Sequence, residues 1–221
     1  MLKDFPQTLF ITGIGTDVGK SYATGWLAKE IIRSGESCIT QKFIQTGNIG
    51  TSEDIEVHRK IMGIEFLPED LDHTTAPIIF SYPASPDLAA RIDGKNIDFN
   101  MISKATKTLE SRYKHVLIEG AGGLMVPLEG KYLTADYIRE HNLPCILVVS
   151  GLLGSINLSL LSLNAIKDYG INLYAIIYNP FFDKDKIIAE DTKKYLKQWV
   201  KDAFPTSFWI EMPNGSPSHT P

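Results

Sequence analysis

Residues 9–21 read Leu-Phe-Ile-Thr-Gly-Ile-Gly-Thr-Asp-Val-Gly-Lys-Ser, and this run constrains the chain more than any other. It is an apolar strand that must turn through glycines straight into a helix starting near Ser21. Glycines let successive backbone N–H groups converge on an anion with no Cβ in the way. The following helix aims its free N–H groups and the positive end of its dipole at the same point. Lys20 then reaches the β- and γ-phosphates of a nucleotide, and the Ser21 hydroxyl is placed to ligate Mg²⁺. The spacing departs from a strict G-x-x-x-x-G-K-[ST]. The first glycine is due at position 14, which is Ile, and Gly13 leaves five residues between.

A chain of 221 residues, 43% hydrophobic and 22% charged, can bury about 70% of its unfolded surface, which suits one domain over 1–221. Its net charge of −4 gives no basic field for nucleic acid or an anionic membrane, so neither is expected as a partner. The opening Met1-Leu2-Lys3-Asp4-Phe5-Pro6 lacks the apolar core of a signal peptide. No apolar run reaches the ~20 residues that span a bilayer, and a cytoplasmic protein is expected. Cys38 and Cys145 each sit in a short apolar run, as buried reduced thiols do. None of His58, His73, His115, His141 and His219 has a His, Cys or carboxylate partner at zinc-like spacing, so they read as structural or surface residues.

Apolar, β-branched runs at 8–12, 37–44, 77–81, 115–119, 144–149, 173–178 and 206–212 alternate with helical patterns at 20–34, 53–62, 99–113, 134–141, 156–169 and 184–201. The alternation predicts an α/β fold, a mostly parallel seven-stranded sheet with helices on both faces, of the P-loop NTPase type. In such sheets ligands bind at the carboxyl ends of the strands. Residues 212–221 are polar and proline-rich and are expected to add neither helix nor strand.

The second apolar run leads into Lys42-Phe43-Ile44-Gln45-Thr46-Gly47, which sets an ammonium, a hydroxyl and a glycine at a strand's end. Ser52-Glu53-Asp54-Ile55 opens a helix with Asp54 in its first turn, where a carboxylate favours the dipole. The fourth run ends in Glu119-Gly120-Ala121-Gly122-Gly123. A lone carboxylate closing an apolar strand is how an acid is presented beside a phosphate loop, and with Ser21 it offers Mg²⁺ oxygen ligands from separate elements.

Together these segments resemble dethiobiotin synthetases from the first strand to about residue 215. That family carries G-T-D-T-x-V-G-K-[ST], K-P-x-x-[ST]-G, a helix-opening Asp, and E-G-A-G-G followed by an apolar residue, x and Pro. Here they stand as G-I-G-T-D-V-G-K-S, K-F-I-Q-T-G from Lys42 to Gly47, Asp54, and E-G-A-G-G-L-M-V-P from Glu119 to Pro127. Ile14 and Gly15 replace the loop's Thr and Asp, and Phe43 replaces the Pro.

The resemblance implies carboxylation of 7,8-diaminononanoate by CO₂ with ATP and Mg²⁺, closing the ureido ring of dethiobiotin in biotin biosynthesis. It places Lys20, Lys42 and Thr16 at the carbamate and γ-phosphate, Thr46 and Thr16 by the diamine, and Ser21, Asp54 and Glu119 on the metal. Asp17, Val18, Gly19, Lys20, Ser21 and Tyr22 would surround the nucleotide, as would Gly120, Ala121 and Gly122. Asn179, Pro180, Pro213, Asn214 and Gly215 would stand at its base. Gly154, Ser155, Ile156 and Asn157 would open a helix onto the substrate's distant carboxylate across a homodimer interface.

An anion 4 Å from Lys42 contributes roughly 4 kcal/mol at an effective dielectric of 20, about three pK units, against a desolvation shift of at most about 3 to 5. Lys42 is therefore expected to stay cationic and to stabilise charge rather than take a proton. With only Asn179 and the Pro213 region to read the base, a relaxed choice among nucleoside triphosphates is expected. Two other readings share this loop. A ParA- or MinD-like ATPase switch needs Lys at position 15, which is Gly. A cofactor amidation synthetase usually carries a glutaminase domain with a nucleophilic Cys, which 221 residues with two strand-like cysteines do not accommodate.

Overall fold

The computed structural model describes residues 5–213. Asn214, Gly215 and the remaining tail lie outside them. β1 (Thr8–Gly13) is buried along its whole length, with Phe10 in one apolar layer and Leu9 and Ile11 in the other. A parallel strand covered on both faces needs such a continuous apolar run, and each of these side chains contributes about 1.5–3 kcal/mol by burial. The chain continues through α1 (Lys20–Arg33), β2 (Cys38–Lys42), β3 (Gln45–Thr46), α2 (Glu53–Met62), α3 (Pro68–Leu71), β4 (Ile79–Phe80), α4 (Pro86–Ile92) and α5 (Phe99–Arg112). It then forms β5 (His115–Glu119), β6 (Pro127–Glu129), β7 (Tyr132–Leu133), α6 (Thr134–Glu140), β8 (Cys145–Ser150), α7 (Ser155–Asp168), β9 (Leu173–Asn179), a 3₁₀ turn (Pro180–Phe182), α8 (Lys186–Ala203) and β10 (Phe208–Glu211).

Six strands make one sheet in the order β10-β9-β8-β1-β5-β2, every neighbouring pair parallel. Ala23, Leu27, Ala28 and Ile31 of α1 cover one face, while Ile102 of α5, Ile138 of α6, Leu163 of α7 and Leu196 of α8 cover the other. The sheet thus has six strands among the described residues, not the seven expected. Residues 77–81 supply only Ile79–Phe80, which pair with Gln45–Thr46 in a separate ladder. Ile78 and Phe80 are buried there as strand residues would be, so the apolar run marks burial without membership of the main sheet. α3, α4 and the antiparallel β6–β7 pair have no counterpart in the sequence reading.

The chain leaves β1 for β2, returns to fill the gap with β5, then crosses to β8 on the other side of β1. The direction of winding therefore reverses at β1, and a cleft opens at the carboxyl ends of β1 and β5, where sheets of this kind bind ligands.

Candidate active site

Strand register assembles the centre of the site. Lys42 is the last residue of β2 and stands opposite Glu119, the last residue of β5, which in turn stands opposite Ile11 of β1. Two residues 77 apart in sequence thus share one level of the sheet, and the Lys42 ammonium lies 2.9 Å from Glu119 Oε1. The next backbone N–H, that of Phe43, donates to the Glu119 carbonyl at 2.9 Å. A proline at this position has no N–H to give. The Phe43 ring is fully buried, with its centroid 5.4 Å from that of Phe10 and 4.6 Å from that of Tyr137.

The phosphate loop is held from beneath. Gly19 precedes α1 with φ 89°, and a Cβ on it would stand 2.3 Å from Asn179 Nδ2. Glycine is required there for both conformation and space. Asn179 at the end of β9 donates from Nδ2 to the Val18 carbonyl at 2.9 Å and accepts the Phe181 N–H at 3.1 Å. Lys20 donates to the Gly15 carbonyl at 2.9 Å, and Asp17 takes a left-handed φ of 59°. A Cβ on Gly15 would meet nothing within 4 Å, so a side chain has room there.

The Ser21 hydroxyl lies 2.7 Å from Asp54 Oδ1 and 2.9 Å from Glu119 Oε1. Asp54 is set by α2, whose N-cap Ser52 accepts the Ile55 N–H at 3.2 Å. Lys42 donates to Asp54 Oδ2 at 2.5 Å and to the Gly120 carbonyl at 3.2 Å besides Glu119. Ser21, Asp54 and Glu119, spread over 98 residues, therefore converge. They offer only oxygen donors, the type hard divalent cations take. No group of three or more His, Cys, Asp or Glu that could hold a metal gathers among the described residues. Mg²⁺ in general takes one or two carboxylates and completes its shell with water and substrate phosphates.

Burial works against the Lys42 charge, but Glu119 and Asp54 outweigh it and hold the ammonium above the ordinary lysine range. Burial likewise works against ionised Glu119, and Lys42 and His58 overcome it, holding the carboxyl well below the usual carboxylate range. Lys20 differs: burial pulls it below the ordinary value, and Glu119 offsets this only in part.

A cavity of about 880 Å³ opens over this cluster. Lys20, Ser21, Lys42, Asp54 and Glu119 line its floor, and Thr16, Asp17, Gly19 and Tyr22 the phosphate-loop side. Thr46, Ala121, Gly122, Asn179 and Pro213 are also in its lining. Of the other residues expected at the site, Val18, Gly120 and Pro180 back the cavity without lining it. Gly154, Ser155, Ile156 and Asn157 do not line it either. Gly154 opens α7 at φ 94°, and the Ser155 hydroxyl, 3.0 Å from that of Ser150, is turned into the protein.

The sequence reading missed three groups. Phe181 and Phe182, with ring centroids 5.1 Å apart, line the end by Asn179, and Pro83, Ala84, Ser85 and Pro86 form a rim. His58, assigned there to structure or surface, is fully buried with Nε2 2.5 Å from Glu119 Oε2. The available signal was its i,i+4 spacing from Asp54, which puts both on one face of α2.

The family model matching this chain is an AAA domain, over residues 7–199. Among solved structures, chloroplast FtsY from Physcomitrella patens superposes with a TM-score of 0.53 at 16% identity over 93% of this chain and 58% of that one. Cell division protein FtsY from Thermotoga maritima gives 0.51 at 15% identity over 93% and 61%. These likenesses concern the fold. The chain is 44% identical over 206 residues to ATP-dependent dethiobiotin synthetase BioD 2 of Pasteurella multocida, covering 93% of this chain and 97% of the relative. It is 48% identical over 184 residues to BioD 2 of Haemophilus influenzae, covering 83% and 96%. It is 47% identical over 195 residues to BioD of Chlorobaculum tepidum, covering 88% and 82%. Identity of this order over nearly whole chains, on a fold that gathers Lys20, Ser21, Lys42, Asp54 and Glu119 at one cleft, makes this chain a member of the ATP-dependent dethiobiotin synthetase family.

Proposed function

We propose that the chain carboxylates 7,8-diaminononanoate with CO₂ and closes the ureido ring of dethiobiotin, converting ATP to ADP and phosphate. The observation that carries this is the meeting of two lysines with a hydroxyl and two carboxylates above the phosphate loop, beside a cavity roomy enough for nucleotide and diamine together. One amine of the diamine adds to CO₂ as a carbamate, held by Thr16, Thr46 and Lys42. A carbamate oxygen takes the γ-phosphoryl group, ADP leaves, and the second amine displaces phosphate from the activated carbon.

Lys20 and Lys42 face the charge that grows on the transferring group, and in a water-poor cleft fixed charges cost no reorganisation at that moment. A carbamate needs a cation beside it rather than a base, and two carboxylates keep Lys42 cationic. Ser21, Asp54 and Glu119 suit Mg²⁺ by donor type, and the ion when bound would neutralise phosphate charge. The purine would lie toward Asn179 and Pro213, against Phe181 and Phe182. Rates with ATP, GTP and CTP measure how strongly that end reads the base.

The N-terminus of α7 lies outside the cavity built by one chain, while Leu153, Leu158 and Leu161 leave an apolar surface on and before that helix, 83%, 45% and 61% exposed. We assign this surface to a second copy of the chain, whose Gly154-to-Asn157 turn would receive the far carboxylate of the substrate. No helix among the described residues is long and apolar enough to cross a membrane, and a cytoplasmic enzyme is the reading adopted. The deciding experiment supplies diamine, bicarbonate and Mg·ATP and follows ADP together with dethiobiotin by mass spectrometry. ADP and dethiobiotin should appear one for one and stop without diamine. ATP turnover indifferent to diamine would instead indicate an ATPase switch.

A further inference from the structure

Behind the carboxylate of Glu119 runs a buried file of polar groups that the reaction itself does not use. Arg59 donates from Nε and Nη2 to the two oxygens of Asp70 at 2.8 and 2.7 Å, and from Nη1 to the Thr40 hydroxyl at 2.8 Å. Thr40 Oγ1 lies 3.0 Å from His58 Nδ1, and His58 Nε2 lies 2.5 Å from Glu119 Oε2. Thr40, His58, Arg59 and Glu119 are each at most 2% exposed. Burying this many polar groups is costly unless every one is paired.

The direction of the file follows from donor chemistry. A guanidinium only donates, so Thr40 accepts from Arg59. An ionised carboxylate only accepts, so His58 carries a proton on Nε2. If Nδ1 carried one too, the Thr40 hydroxyl hydrogen would have no acceptor among the described residues. Thr40 therefore donates to Nδ1, and the donors run head to tail: Arg59 to Thr40, Thr40 to His58, His58 to Glu119. The file also divides the labour of Glu119. Oε2 is held by His58, while Oε1 is turned toward Ser21 and Lys42.

We propose that His58 is a positioning residue for the phosphoryl-transfer centre. Fixed as the Nε2–H tautomer by Thr40 and Arg59, it pins Glu119 Oε2 so that Oε1 stays aimed at Ser21 and Lys42. A donor behind a ligating carboxylate sets its rotamer, and loss of such a partner typically costs ten- to a hundredfold in metal affinity or activity. The metal part of this inference rests on the reading of Ser21, Asp54 and Glu119 as Mg²⁺ ligands.

Three variants test it. His58→Leu removes the donor, His58→Gln offers an amide N–H at the level of Nε2, and Thr40→Val keeps the ring but frees its tautomer. Calorimetry of a non-hydrolysable ATP analogue across Mg²⁺ concentrations should show half-saturation raised about ten- to a hundredfold in His58→Leu. The rise should be smaller in Thr40→Val and largely reversed in His58→Gln. kcat should fall in His58→Leu, with the diamine KM little changed. Long-range ¹H–¹⁵N spectra of the ligand-free protein should show His58 protonated on Nε2 with Nδ1 bare. The inference is overturned by the opposite tautomer, by His58→Leu matching the wild type, or by His58→Gln being as impaired as His58→Leu. If the wild-type protein binds the analogue without regard to Mg²⁺, the ligand reading fails instead. The tautomer and the Gln rescue of kcat then decide the role of His58 by themselves.

Discussion

Lys42 donates to Asp54, Glu119 and the Gly120 carbonyl, which uses all three of its protons within the chain. A lysine so fixed is a charge held in place before substrate arrives, and preorganised charge acts most on the transition state. Lys42→Gln should therefore lower kcat by ~10²-fold or more while diamine binding changes modestly, in steady-state kinetics with calorimetry of the diamine. A rise in KM at unchanged kcat would make its role ground-state binding. At this scale the sequence was legible where a residue type ends a strand or opens a helix: Lys20, Ser21, Lys42, Asp54 and Glu119 were each marked by their punctuation. His58 was not, because its partner lies 61 residues away and is brought to it only by the packing of α2 against the sheet. Gly25 of α1 permits that packing: a Cβ there would stand 3.1 Å from the His58 Cα. Phe43 was read as a departure. Its backbone bond to Glu119 depends on which strand lies beside β2, and spacing does not encode that.

Among elements, the short α3 is the piece least visible in the sequence, yet it supplies the carboxylate that neutralises a buried cation. Asp70 caps its own turn by accepting the Leu67 N–H at 2.7 Å, accepts the Thr75 hydroxyl at 2.7 Å, and holds Arg59 by two bonds. Periodicity could not reveal a helix of four residues, and only the pairing with Arg59, eleven residues earlier, makes the turn worth forming. Burial raises the Asp70 carboxyl, but Arg59, Leu67 and Thr75 outweigh that and hold it below its ordinary 3.8. A carboxyl held low contributes stability that is present above its unfolded value and lost as pH falls through its folded value. Asp70→Asn leaves Arg59 buried without its counter-charge and should cost about 3–5 kcal/mol at pH 7 in urea unfolding. The gap from wild type should begin to narrow as pH falls below about 3.8, where the unfolded wild-type carboxyl takes up a proton, and close as pH falls through the lower folded value. An equal gap at pH 7 and pH 3 would show that shape rather than charge holds α3 to α2. The segment 77–81 is the reverse case, visible but misassigned. Its run of Pro77, Ile78, Ile79 and Phe80 is apolar, with Ile78 and Phe80 buried, and an apolar run does not say which sheet it joins.

For the whole molecule, the parallel architecture was legible in the alternation of runs, since consecutive parallel strands demand crossover helices, whereas the strand order that reverses at β1 and opens the cleft came only from the structure. The cavity gathers the phosphate loop with Lys42 and Thr46, whereas the α7 turn at Gly154 stands apart from it. α7 carries no charged side chain from Ser155 to Ile166, although Leu158 and Leu161 face outward. An uncharged outer face is unusual for a helix in water and suits one covered by a second copy. The double variant Leu158→Lys, Leu161→Lys puts two charges into the face that such a pair would bury, and desolvating them opposes association. It should sediment as a monomer where the parent chain sediments as a dimer. The nucleotide cavity is made by one chain, so binding of an ATP analogue should be unchanged. The diamine KM should rise severalfold, up to about thirtyfold, since an anion at a helix N-terminus gains up to ~2 kcal/mol and each 1.4 kcal/mol is a factor of ten. A variant that still sediments as a dimer would remove α7 from the interface. A monomer with the parent KM would show that the far carboxylate is held within a single chain.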